Sequence, residues 1–278
     1  MDTPAEASED SGEPHRSRAS RRSFLRMAGA GVAGTLGAGA IAGTAVGAER
    51  YHEVASARRR GDGATVATLS SATSLDVLWR ARTDRKVMAL TFDDGPSAAH
   101  TERLLDDLRA AKARATFAVV GRNAARFRDL VRRQHTDGHE VANHTWSHVD
   151  LSLHEYARCR RELERTDELV TDLTGCPTAV IRPPFGRING AMLQYAAQTG
   201  QKVVLWDMRL LEDEFDAAGN TGYVLDHLRP GTVVLAHDAG LAKRRVGMAA
   251  IPGILAGARK LGYEFVTVSE MFELDRQA

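Results

Sequence analysis

Two cysteines among 278 residues are too few for a fold held together by disulfides, and their placement argues against even one bridge. Cys159 lies early in an expected helix, and Cys176 follows Gly175, a residue suited to that helix's C-cap. The helical rises from Cys159 to Thr174 span roughly 22 Å, far beyond disulfide reach. Both thiols are therefore read as unpaired. No CxxC pair exists, which removes the usual structural zinc motifs. A charge excess is also missing, with 37 basic against 36 acidic residues. The first 48 residues hold five of each, so the remainder keeps the balance at 32 to 31 and carries no nucleic-acid footprint. What is present is 43% hydrophobic residues, enough for a real core in one large or two small domains.

A long apolar run is lacking as well. The uncharged stretch from Met27 to Gly47 is rich in Gly and Ala, hence only mildly apolar and poorly suited to a permanent membrane helix. It follows Ser20-Arg21-Arg22-Ser23-Phe24-Leu25-Arg26 and ends in Val46-Gly47-Ala48, small residues suited to cleavage. Residues 1–48 thus resemble a twin-arginine export signal, with membrane contact only in transit and the rest of the chain working as a secreted or cell-envelope protein. An uncleaved anchor is the alternative. Residues 49–74, with Arg58-Arg59-Arg60 and a Ser/Thr/Ala-rich stretch, have no apolar period and read as a linker. A folded domain is expected over 75–278.

Within that domain short apolar runs alternate with helical patterns. Strands are expected near 75–79, 87–90, 115–120, 139–142, 178–181, 201–206, 232–236 and 265–268. Helices are expected over 98–113, 124–137, 154–174, 189–199 and 249–261. Such alternation is that of an α/β domain with a parallel sheet, doubly wound or closed into a barrel. Polar residues follow the strands: Asp93 and Asp94 one, His144 another, then Arg182, Asp207 and His237. Chemistry contributed by several strand ends favours the barrel.

Thr91-Phe92-Asp93-Asp94-Gly95-Pro96 ends an apolar run with two carboxylates and a turn. Downstream, Asn143-His144-Thr145-Trp146-Ser147-His148 holds two imidazoles four apart, a spacing that places both on one face of a helical turn. The HExxH protease motif is excluded because Thr145 stands where it needs Glu. A catalytic zinc site uses three protein ligands and keeps one position open. Asp94, His144 and His148 supply the three, which leaves Asp93 free to accept a proton. Arg182-Pro183-Pro184-Phe185-Gly186 stiffens a guanidinium that can orient Asp93. Val233-Val234-Leu235-Ala236-His237 puts a histidine at a strand end, suited to protonating a leaving amine.

Together these segments resemble the polysaccharide deacetylases, the NodB-homology domain of carbohydrate esterase family four. The likeness covers residues 75–278 and rests on Thr91 to Pro96, His144 to His148, Arg182 to Gly186 and Leu235 to His237, in that order. It implies a deformed (β/α) barrel, a divalent metal taken as Zn2+, and removal of acetyl groups from a polysaccharide such as peptidoglycan, chitin or xylan. By the same likeness Asp93 deprotonates a metal-bound water, Arg182 holds Asp93, and His237 is the acid. A backbone N–H near Phe185 holds the oxyanion, and Leu235 lines the acetyl pocket. The family's fourth motif, a strand Trp and then an Asp-Trp pair, is only half present. Trp206 is there, but Glu212, Asp213, Glu214 and Phe215 occupy the later positions, so Asp207 or one of these carboxylates is expected to stand in for the missing Asp.

Overall fold

The computed structural model describes residues 75–278, so the export signal expected over 1–48 and the linker over 49–74 lie outside the described residues. Strand β2, Val87–Asp93, organises the fold. All seven of its residues are buried, as in a central strand covered on both faces. Side chains alternate along a strand. Met88, Leu90 and Phe92 accordingly join one cluster with Leu104, Leu105 and Leu108, while Val87 and Ala89 join another with Ala118, Ala142, Val180, Val204 and Val233. The second set is small because it lines the inside of a tightly curled sheet. By the same alternation Thr91 and Asp93 face that interior.

Around β2 lie β1 (Val77–Leu78), β3 (Thr116–Val119), β4 (Glu140–Asn143), β5 (Val180–Ile181), β6 (Lys202–Val204), β7 (Met208–Arg209), β8 (Thr232–His237) and β9 (Glu264–Phe265). They run parallel in the order β1-β6-β5-β4-β3-β2-β8-β7, with β9 beside the start of β2. The two edge strands do not pair. Instead the chain leaving β1 meets the start of β8, where Ala81 N–H donates to Gly231 O at 3.0 Å and Arg80 bridges Thr232. Gly231 sits at φ +80, and a Cβ there would strike Ala81 O. The sheet therefore curls almost closed, the deformed (β/α) barrel expected from the sequence.

The helices α1 (Thr101–Ala110), α2 (Gly121–Arg126), α3 (Arg128–Thr136), α4 (Tyr156–Thr174), α5 (Gly190–Thr199), α6 (Ala217–His227), α7 (Arg244–Lys260) and α8 (Val268–Gln277) complete the domain. Leu104, Leu105 and Leu108 are the buried stripe of α1, and Leu163, Val170 and Leu173 lie on that of α4. Two of these helices, α6 and α8, were not expected. The strand expected over 265–268 stops at Phe265 because Thr267 and Glu270 form a capping box that starts α8. Cys159 is buried on α4, Cys176 is exposed beyond it, and both are free, as expected. Among the described residues no helix is long and apolar enough to cross a membrane.

Candidate metal centre and active site

Strand ends deliver the polar groups. Asp93 closes β2 and His237 closes β8, and the two are paired across the parallel ladder. Their Cα atoms are thus about one strand spacing apart, roughly 4.8 Å. His144 follows the end of β4 and Arg182 the end of β5. The neighbouring strands are locked there, with Arg182 N–H donating to Asn143 O at 2.9 Å.

Asp94, His144 and His148 converge, with one ligand atom from each lying within 4.8 Å of the others. His148 Nε2 is 3.1 Å and His144 Nε2 3.7 Å from Asp94 Oδ1. Tetrahedral ligands about 2.0–2.1 Å from a zinc ion would stand roughly 3.3 Å apart, so the donor set fits a small divalent metal. His144 Nδ1 donates to Arg182 O at 2.6 Å, which leaves the Nε2 lone pair facing the centre. Burial opposes the charge on Asp94, but the His148 hydrogen bond and the nearby histidines outweigh it and bring the carboxyl down to about 2. The hydrogen bond to Asp94 raises His148, whereas burial lowers His144.

The histidine pair is not on a helix, contrary to expectation. Thr145 at φ +67 and His148 at φ +58 turn the chain through left-handed conformations instead. Asn143 Oδ1 accepts from Thr145 N–H at 2.9 Å, and Thr145 Oγ1 accepts from His148 N–H at 3.0 Å. Asn143 is in turn held through Nδ2 by Asp167 Oδ1 at 2.7 Å and Leu163 O at 2.8 Å, both on α4. A four-residue spacing alone cannot separate this loop from a helical turn. The side-chain caps that build it were the signal within reach.

Arg182 is among the largest fully buried side chains. Its Nη1 donates to Asp93 Oδ1 at 3.0 Å and to Thr91 Oγ1 at 2.5 Å, while Nη2 donates to Leu205 O at 2.9 Å. The guanidinium therefore occupies the barrel interior and holds one oxygen of Asp93. The other oxygen, Oδ2, is left facing the metal side, 3.7 Å from His144 Nε2.

Asp93, Asp94, His144, His148 and His237 line one cleft of about 360 Å³, together with Phe185, Trp206 and Leu235. Burial drives the His237 imidazole down to about 4 against the pull of Asp93, so its ring is neutral at neutral pH. Phe185, at φ +60, sets its exposed ring edge-on against His148 with centroids 4.9 Å apart. Asp207, by contrast, does not reach the site. It is held at the start of β8, where Oδ1 accepts from Val233 N–H at 2.9 Å, roughly 13 Å along the strand from His237. It cannot replace the fourth-motif carboxylate there. Glu212 and Asp213 do line the cleft, but Glu212 is buried against Arg244 and Asp213 is paired with Lys243. Among the described residues no side chain hydrogen-bonds the His237 ring. The Arg244 guanidinium beside the cleft was not anticipated from the sequence.

The family profile described as polysaccharide deacetylase matches residues 80–204. A peptidoglycan-N-acetylglucosamine deacetylase of Bacillus cereus is 32% identical over 191 residues, covering 68% of this chain and 70% of that one. A bifunctional xylanase/deacetylase of Pseudobutyrivibrio xylanivorans is 32% identical, covering 69% of this chain but only 31% of that one. The crystal structure of the Bc1960 peptidoglycan N-acetylglucosamine deacetylase superimposes with a TM-score of 0.68 at 30% identity, covering 71% of this chain and 92% of that one.

Proposed function

The chain belongs to the polysaccharide deacetylases, hydrolases of carbohydrate esterase family four, and from that premise we propose that it removes N-acetyl groups from a GlcNAc-containing polymer, peptidoglycan before chitin. The observation that carries this reading is the meeting of Asp93, the Asp94-His144-His148 triad and His237 in one cleft. The peptidoglycan enzymes among its relatives favour that polymer.

The triad holds the metal, Zn2+ in this reading. When bound, such an ion supplies Lewis acidity, polarising the acetyl carbonyl and making water acidic near neutral pH. Asp93 is the base. Arg182 occupies Oδ1 and fixes the carboxylate plane, so Oδ2 takes the proton of the attacking water. The backbone N–H of Phe185 supports the developing oxyanion, and Leu235 borders the space for the acetyl methyl. His237, on the neighbouring strand, passes a proton to the departing amine. Its ring is neutral at rest, so the proton it delivers is the one Asp93 took from the attacking water. Its low pKa makes it a ready donor once it has gained that proton.

This work takes place outside the cytoplasmic membrane, after export by way of Arg21 and Arg22. Changing both arginines to lysine is expected to retain the precursor in the cytoplasm, which immunodetection of cell fractions would measure. Acetate release from peptidoglycan, chito-oligosaccharide and acetylxylan by the zinc-loaded protein tests the activity. Fastest release from the amide substrates supports the proposal, and none from any of the three refutes it. Asp93→Asn is expected to lose roughly 10²–10⁴-fold in rate. The xylanase/deacetylase relative favours a second reading, an O-acetyl esterase on xylan, which fastest release from acetylxylan would establish.

A further inference from the structure

Directly after His237 the chain places a carboxyl in the interior. Asp238 is fully buried. Its Oδ2 accepts from Thr101 Oγ1 at 2.6 Å, and its Oδ1 has no hydrogen-bond partner. The carboxyl lies directly against Gly95, so that a Cβ at that position would collide with both oxygens. The main chain extends the contact. Asp238 N–H donates to Asp93 O at 3.2 Å, and Asp238 O accepts from Ser97 Oγ at 2.6 Å. Ser97 N–H returns to Thr101 Oγ1 at 2.8 Å. One residue thus bridges the exit of β8, the exit of β2 and the first residue of α1. Between these anchors stands Asp94 at φ +73, its carbonyl taken by Asn123 Nδ2 at 2.7 Å.

A core selected for stability alone would put an apolar side chain at this place, since a buried carboxyl oxygen without a partner is costly. We propose that Asp238 is a positioning residue, whose carboxyl, wedged beneath Gly95 and fastened to Thr101, fixes the Asp94-Gly95 turn relative to β8. It thereby sets where Asp94 stands with respect to His144, His148 and His237. Shape and the Thr101 acceptor carry the role, not charge. Asp238→Asn keeps both of them, and Asp238→Ala removes both. The catalytic half of the inference rests on the deacetylase reading, while the metal-binding half does not.

The test uses the full chain, with Zn2+ affinity measured by chelator competition, the absorption spectrum of the Co2+-substituted protein, and kcat and KM on acetylated chito-oligosaccharide. Asp238→Ala is expected to weaken Zn2+ binding about tenfold and lower kcat roughly 10–100-fold, with KM within about twofold. Its Co2+ spectrum changes, whereas Asp238→Asn stays within about threefold of the parent and keeps the spectrum. A folded Asp238→Ala with unchanged Zn2+ affinity and kcat overturns the inference, and so does an Asn variant as impaired as the Ala one. Should Asp238→Ala fail to fold, Thr101→Val against Thr101→Ser gives the same contrast, and equal behaviour of those two overturns it. If the parent protein releases no acetate, the deacetylase reading falls while the Zn2+ contrast still decides this one.

Discussion

The two ends of the barrel's strands are built from similar residues to opposite purposes. At their starts, Glu140 accepts from Thr116 Oγ1 at 2.8 Å and from Ser269 N–H at 3.1 Å, while Thr116 Oγ1 accepts from Val268 N–H at 2.9 Å. Carboxylate, hydroxyls and helix N-terminus satisfy one another, and nothing there points at a common centre. At their finishes, Asp94, His144 and His148 aim at one point, and the backbone yields to let them. Among the described non-glycine residues, Asp94, Thr145, His148 and Phe185 sit at positive φ at this end, whereas the starting end has only Lys112. A left-handed conformation costs a non-glycine residue about 1–2 kcal/mol. Strain of this kind collects where several side chains must share a target, and it is held there by the surrounding hydrogen bonds.

If that contrast is right, the largest effect comes from removing an aimed side chain. His144→Ala is expected to weaken Zn2+ binding by more than about 100-fold, beyond what loss of a supporting group costs. Metal content of the purified protein by elemental analysis checks it, and full zinc occupancy in the variant would break the comparison. Relieving strain should divide the two ends next. Phe185→Gly frees φ +60 but strips the ring from His148, so KM on acetylated chito-oligosaccharide should rise several-fold, on the order of 1 kcal/mol of lost binding. Lys112→Gly frees φ +49 at the other end and should gain about 0.5–1 kcal/mol in urea denaturation with kcat and KM untouched. Equal functional losses in the two glycine variants would erase the distinction.

A last effect concerns pH. His139, before β4, accepts the Ala115 N–H through Nδ1 at 3.2 Å, which requires a neutral ring, and burial pushes it from 6.5 down to about 4. Between those values the unfolded chain binds more protons than the folded one. Stability is therefore intact above pH 6.5 and is lost as pH falls toward 4, by roughly 2–3 kcal/mol. His139→Asn keeps an acceptor for Ala115 and should flatten that part of the loss, read as the difference between urea midpoints at pH 7 and pH 4.5. An unchanged difference would mean that the starting end carries no such group.

Much of this was legible from the chain alone, and the reason is local. Val87 to Asp93 announces a doubly buried strand by composition, and the residues that end β2, β4, β5 and β8 are contiguous with their strands. Where the reading failed, the missing information was three-dimensional. The four-residue spacing from His144 to His148 fits a helical turn as well as a loop, and only the Asn143 and Thr145 side-chain bonds decide between them. Asp207 follows β6 in sequence but lies beside the start of β8 in space. Arg244 and Asp238 carried no pattern at all, because their partners come from remote elements, and for the same reason the ion pair that occupies Glu212 was not legible.

Arg182 carries a consequence for how such a chain can change over time. It fills the barrel as a leucine or phenylalanine would elsewhere, yet it is an ion, and its worth to the fold depends on Asp93 staying ionised beside it. Exchanging a buried ion pair for apolar side chains of similar volume is often neutral or stabilising. A lineage released from selection on turnover would gain by trading Arg182 and Asp93 for a greasy pair, but only by way of a single variant whose unpaired buried charge costs about 3–5 kcal/mol. It would reach a sturdier barrel in two steps, with Asp94, His144 and His148 still in place.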